Sequence, residues 1–160
     1  MENKKHLFID MDGTLTCFES ERGKIRVRSE EFTEEFFRTR EPLIDMIRNI
    51  IVLFPQEEYE YHILSNCPNM ESYVGKNAWL DQYFNVDKKN RHFLLRQNGR
   101  IYSKSNFIVD YCFENDINTY DCVIIDDTLQ NLIDCETISI DAWHPSKVLC
   151  KGRKLRGKNG

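Results

Sequence analysis

The chain has 160 residues, of which 41% are hydrophobic and 30% charged, and its formal net charge is −4. That length suits one compact domain burying about 70% of its unfolded surface, and that composition excludes wholesale disorder. The weak negative charge gives no overall pull toward nucleic acid or membrane, and the longest apolar runs (50–54 and 122–125) are too short to span a bilayer.

In chain order, Leu7-Phe8-Ile9 predicts a buried strand running into the acidic, glycine-broken turn Asp10-Met11-Asp12-Gly13-Thr14. No signal-peptide core precedes it, which predicts a cytoplasmic location. Cys17 to Arg28 is polar and aperiodic and reads as a loop or short hairpin. Ser29 offers a helix N-cap ahead of Phe32, Phe36 and Phe37 at helical spacing. Pro42 can open a second helix with Leu43, Ile44, Ile47, Ile50 and Ile51 on its apolar face, and Pro55 ends it.

Tyr61 to Ser65 predicts the second strand, closed by Asn66, Cys67 and Pro68. Tyr73 to Phe84 predicts an amphipathic helix with Val74, Ala78, Trp79 and Leu80 as candidate core residues. A short strand at 92–95 follows, then a polar turn at Gln97-Asn98-Gly99 and a helix over 104–113. The fourth strand, 122–125, ends in Asp126-Asp127. A short helix (128–135) and a fifth strand (138–140) complete the alternation, which predicts a doubly wound parallel sheet covered on both faces. Lys147, Lys151, Arg153, Lys154, Arg156 and Lys158, with no acid among them, read as a frayed basic tail over 147–160. A nucleic-acid-binding arm is the functional alternative. Six cysteines without Cys-x-x-Cys spacing, several in apolar runs, fit buried thiols in a reducing compartment.

Chemistry concentrates where the strands end, since ligands of open parallel sheets sit at their carboxyl ends. Asp10 and Asp12, two apart, present carboxylates toward one spot, and such a pair calls for a cation. Ser65 and Asn66 close the second strand with a hydroxyl and an amide suited to phosphoryl oxygens. Asp126 and Asp127 end the fourth with hard oxygen ligands that suit Mg²⁺. Capping the following helix needs only one of them. Lys104, at the start of its helix, is the favoured phosphate-binding lysine, reaching nucleophile and phosphate together; Lys76 competes, and Lys88 and Lys89 trail.

Asp10-Met11-Asp12-Gly13-Thr14 resembles the first motif of the haloacid dehalogenase (HAD) superfamily, Asp-x-Asp-x-Thr after a hydrophobic strand. Ser65 after His62-Ile63-Leu64 resembles the second motif, and Ile124 to Leu132 the fourth. The resemblance implies a Rossmann-like core over 1–16 and 60–146 of a single domain (1–146), with a small helical cap inserted after the first strand (17–59). It implies Asp10 as nucleophile, Asp12 as general acid and base, and Mg²⁺ held by Asp10, the Asp12 carbonyl and Asp127. Asp126 would bind beside it or hold Lys104. Segments around Phe18, Phe36-Phe37 to Pro42, and Lys76 to Trp79 resemble the 5′(3′)-deoxyribonucleotidase family, in which cap aromatics stack the base. That likeness implies hydrolysis of a (deoxy)nucleoside monophosphate, with Phe18, Phe36 and Phe37 at the base. The alternatives are another ester, such as a nucleic-acid 3′-phosphate, or a non-catalytic phosphate-binding or receiver-like domain. A homodimer is allowed by the sequence.

Overall fold

The computed structural model describes residues 3–18, 32–96 and 102–158. Five parallel strands form one sheet: β1 (Lys5–Ile9), β2 (Tyr59–Cys67), β3 (Arg91–Leu95), β4 (Cys122–Ile125) and β5 (Asp141–Trp143), in the order β3-β2-β1-β4-β5. Among the described residues, six α-helices lie between and after them: α1 (Glu34–Arg38), α2 (Ile44–Leu53), α3 (Met70–Tyr83), α4 (Lys104–Glu114), α5 (Leu129–Glu136) and α6 (Pro145–Lys158). The expected α/β architecture is the one observed.

Alternation along β1 divides the core. Leu7 and Ile9 face one layer with Met46, Ile47 and Ile50 of α2, Trp79 and Leu80 of α3 and Val148 of α6. Phe8 faces the other, with Ile108 and Cys112 of α4 and Leu132 and Cys135 of α5. Because strands buried on both faces must be apolar throughout, β4 is a continuous Cys-Val-Ile-Ile run.

Helix α2, within the segment 17–59 expected as a cap, packs in the core layer. Its stripe of Met46, Ile47 and Ile50 has the 3.6-residue spacing that a sheet face accepts. The five-residue α1 packs on α3, and Thr33 caps it by accepting from the Phe36 amide at 3.2 Å. The cap expected at Ser29, the loop up to Arg28 beyond Phe18, and the turn at Gln97-Asn98-Gly99 lie outside the described residues.

Two other expectations are corrected. The segment 138–140 is not a strand: the Ile138 and Ile140 amides both donate to the Cys135 carbonyl, closing the C-terminus of α5, and Ser139 takes a φ of 67°. The fifth strand starts three residues later than expected, at Asp141. The basic segment after Lys147 is not a frayed tail but most of α6, docked on α2 with Val148 and Gly152 buried. Basic composition did not prevent this because the charges line the outer face, where Lys147 sits 3.9 Å over the Trp143 ring. The closest approach is at Gly152, where an added Cβ would lie 2.4 Å from the Asn49 side chain.

The α4/α5 face of the sheet also carries a row of imidazoles. His6 Nδ1 lies 3.0 Å from His62 Nε2, and His62 Nδ1 lies 3.1 Å from His92 Nε2. Phe8 stacks on His62 and Tyr111 of α4 packs its ring against His62 and His92. Burial lowers the pKa of His62 to about 3 and of His92 to about 4, so both rings are neutral at physiological pH.

The α2/α6 contact yields a paired prediction. Gly152→Ala overpacks it and should cost about 1–3 kcal/mol in urea melts. Gly157→Ala, with nothing within 4 Å of the new methyl, should leave stability unchanged or slightly raised.

Candidate active site

Asp10 follows β1 directly, its amide donating to the Ile125 carbonyl at 2.9 Å, so the ends of β1 and β4 are fastened side by side. The chain then turns tightly. The Met11 carbonyl accepts from the Thr14, Leu15 and Thr16 amides, and Gly13 takes a φ of 80° that favours glycine. A Cβ on Gly13 would stand 2.4 Å from Asp127 Oδ2, so glycine is needed there for the approach of the fourth-strand carboxylate as well as for the turn.

Carboxylate oxygens of Asp10, Asp126 and Asp127 gather within 4.8 Å of one another. Lys104, the first residue of α4 and only 4% exposed, reaches between two of them, 2.7 Å from Asp10 Oδ1 and 2.6 Å from Asp126 Oδ2. Thr14 Oγ donates to the other Asp10 oxygen at 3.1 Å. Asp126, wholly buried, also accepts from the Thr128 amide at 2.8 Å and the Asn131 amide group at 3.2 Å. Burial alone would lower the Lys104 pKa, but Asp10 and Asp126 outweigh it and hold the ammonium firmly charged.

Among the described residues, Asp127 has no such cation of its own. Partial burial, then the Asp10 charge and its hydrogen bond, then the Asp126 charge, raise its pKa to about 7, with Lys104 opposing only in part. Asp126 is shifted upward too, first by burial and then by Asp10.

Lys76, the competitor in the sequence, occupies a second position in the same site. It extends from α3, 1% exposed, and donates to Asp12 Oδ2 at 2.6 Å, Ser65 Oγ at 2.9 Å and the Asn66 carbonyl at 2.7 Å. The choice between the two lysines thus dissolves: Lys104 serves Asp10 and Asp126, and Lys76 serves Asp12 and Ser65. Asp12 gives its carboxylate to Lys76 rather than to the triad, and among the described residues its buried Oδ1 has no hydrogen-bond partner. Ser65 and Asn66 are still within β2, which runs on to Cys67.

Phe36 and Phe37 are buried in an aromatic cluster beside this lysine. Lys76 Nζ lies 5.0 Å over the Phe37 ring, and Phe36 meets Phe18, Phe32 and Phe37 edge-on and the Arg40 guanidinium at 3.8 Å. Phe18 keeps partial exposure. The cluster can sit so close to the site because Gly75 lets α1 touch α3: a Cβ there would be 2.3 Å from the Glu34 carbonyl. The parts that sequence reasoning left without a role were Thr14 and Asn131, both inside the quoted motifs. Their signal was the motif position itself; their partners required the fold.

The four carboxylates of Asp10, Asp12, Asp126 and Asp127 outnumber the two ammonium groups that face them. That excess of acid and the all-oxygen donor set suit a divalent cation such as Mg²⁺. In EDTA, Asp127→Asn should melt above the wild type at pH 8. The difference should vanish as pH falls toward 4, because the ionisation penalty is full above the folded pKa and absent below the unfolded one. Adding Mg²⁺ should raise the melting temperature of the wild type and raise that of Asp127→Asn much less.

No protein-family model matches the sequence, and no curated protein matches it. Solved structures do match. A HAD family enzyme from Bacteroides thetaiotaomicron, crystallised with magnesium and inorganic phosphate, is 12% identical with a TM-score of 0.55, covering 89% of this chain and 94% of its own. The D,D-heptose 1,7-bisphosphate phosphatase of Burkholderia thailandensis is also 12% identical, with a TM-score of 0.53 over 86% of this chain and 75% of that one. An uncharacterized protein from Listeria monocytogenes serotype 4b reaches 0.57 at 13% identity, covering 88% and 77%. At such identities the likeness lies in the backbone: this chain has the α/β fold found in HAD family enzymes.

Proposed function

We propose that the protein is a Mg²⁺-dependent phosphate monoester hydrolase working through an aspartyl-phosphate, with a (deoxy)nucleoside monophosphate as the substrate class. The observation that carries the reading is the convergence of Asp10, Asp126 and Asp127 with two buried lysines at the carboxyl ends of β1, β2 and β4. The magnesium and phosphate held by the Bacteroides enzyme of the same fold support it.

Asp10, Asp127 and the Asp12 carbonyl would hold the ion, with Asp126 beside them; when bound, it supplies charge neutralisation between nucleophile and phosphate. Asp10 attacks phosphorus, its carboxylate held in place by Thr14 and Lys104. The ester P–O bond breaks, and Asp12 gives a proton to the departing alkoxide. Asp12 then takes a proton from the water that attacks the aspartyl-phosphate, returning Asp10 and releasing phosphate. Ser65 and Lys76 hold phosphoryl oxygens, exchanging part of their mutual contact for the substrate.

The nucleotide reading rests on the aromatic cluster next to Lys76. Phe18, partly exposed, offers a ring to a base, and Phe36 and Phe37 form the wall behind it. Helix α6 spends its contacts on α2, which gives no ground for preferring a nucleic-acid 3′-phosphate.

Phosphate release from deoxy- and ribonucleoside monophosphates and an aryl phosphate, with Mg²⁺ and with EDTA, tests the reading. Turnover should need the metal, be lost in Asp10→Asn, and fall about 10²–10⁴-fold in Asp12→Asn. Absence of release from every ester, or full turnover in Asp10→Asn, defeats the hydrolase. Phe18→Ala should raise KM for the nucleotide and leave the aryl phosphate untouched; equal effects on both would remove the base from the proposal.

A further inference from the structure

We propose that His6, Glu60 and His62 form a second metal site, for a late first-row divalent cation of the zinc class, at the amino-terminal end of the sheet. It shares no residue with the carboxylate cluster and does not depend on the hydrolase reading.

Register brings the three together. His6 on β1 pairs with Glu60 on β2, and His62 lies two residues further along β2, so its side chain leaves from the same face. His6 Nδ1 is 3.0 Å from His62 Nε2 and 3.8 Å from Glu60 Oε2, and all three ligand atoms fall within 4.8 Å of one another. Ligand atoms bound tetrahedrally at about 2.0–2.1 Å from zinc are separated by about 3.3 Å, so small side-chain adjustments admit an ion. Two imidazoles and one carboxylate select such a metal over Mg²⁺, which takes oxygen ligands.

The surroundings are those of a supported ligand. His62 is fully buried and cannot swing, with Phe8 stacked on one side and Tyr111 against it. Its far nitrogen, Nδ1, is 3.1 Å from His92 Nε2. A proton on Nδ1 shared with His92 leaves the Nε2 lone pair directed at His6, the tautomer a metal ligand needs. On the open side lies a cavity of about 940 Å³, lined by His6, Glu60, Tyr111 and Asp121 among others, which gives the ion a route in and room for a water. A hydrogen-bonded row of imidazoles without metal would explain the His–His contacts. Glu60, whose Oε1 accepts from Asn90 Nδ2 at 2.9 Å, keeps its other oxygen, Oε2, toward His6.

The test uses the chelator-treated full chain, with Mg²⁺ in excess to fill the carboxylate cluster, titrated with Co²⁺ as a spectroscopic reporter and then with Zn²⁺. One equivalent of Co²⁺ should give the visible bands of a low-coordinate nitrogen–oxygen site, and Zn²⁺ should erase them. The bands should persist in Asp127→Asn and be lost in His6→Asn and in Glu60→Gln. These two positions are partly exposed, so folding is expected to survive, with far-UV circular dichroism as the check. His92→Phe should weaken Co²⁺ by about 10–100-fold while keeping the band positions. Absence of bands in the wild type, or bands that survive both His6→Asn and Glu60→Gln, overturns the proposal.

Discussion

The structure depends on a buried charge being shared. Lys104 is almost wholly out of water, a costly place for an ammonium group, and it remains there because Asp10 and Asp126 stand at hydrogen-bond distance on two sides. The same contact excuses the burial of Asp126 and aims Asp10. It ties α4 to the ends of β1 and β4 through side chains, where the backbone ladder has already run out. Removing the lysine would leave two carboxylates facing each other and Asp127 with nothing between them.

Lys76 repeats the arrangement on the β2 side with Asp12 and Ser65. Two cations therefore pair with three of the four carboxylates, and each carboxylate has a different setting. Asp10 is clamped by Thr14 and Lys104, Asp12 is tied to Lys76 at one oxygen only, Asp126 is saturated, and Asp127 is left to titrate near neutrality. Differences of that kind are how chemically identical groups come to hold separate roles in one pocket. The residual negative charge is a cost to folding that a bound divalent ion removes.

The opposite end of the sheet is also polar, but its composition is different. There the strands begin with His6 and Glu60 rather than ending with aspartates, and imidazoles join a single glutamate in the cluster. Parallel strands make this separation automatic: every strand start lies at one end and every strand stop at the other. Two chemically distinct polar clusters can thus be built from one sheet without sharing a side chain.

The sequence alone determined the sheet and the carboxylates. Alternating apolar runs and helical stripes are local periodicities, and β4 and the start of α4 fall where they predict. The pairs Asp10–Asp12 and Asp126–Asp127 stood out as acids at strand ends, but which of them converge was a matter of the fold, since Asp12 pairs with Lys76. The tertiary structure decided what periodicity does not encode: that α2 joins the core, that 138–140 closes a helix, and that the basic segment docks as α6. It also decided the lysines. Lys76 and Lys104 look alike in sequence, 28 positions apart, and their separate partners follow only from where α3 and α4 cross the strand ends. Charge pairing across 94 positions, as between Lys104 and Asp10, is a property of the assembled sheet, since no local pattern specifies which distant residue will share a buried proton donor.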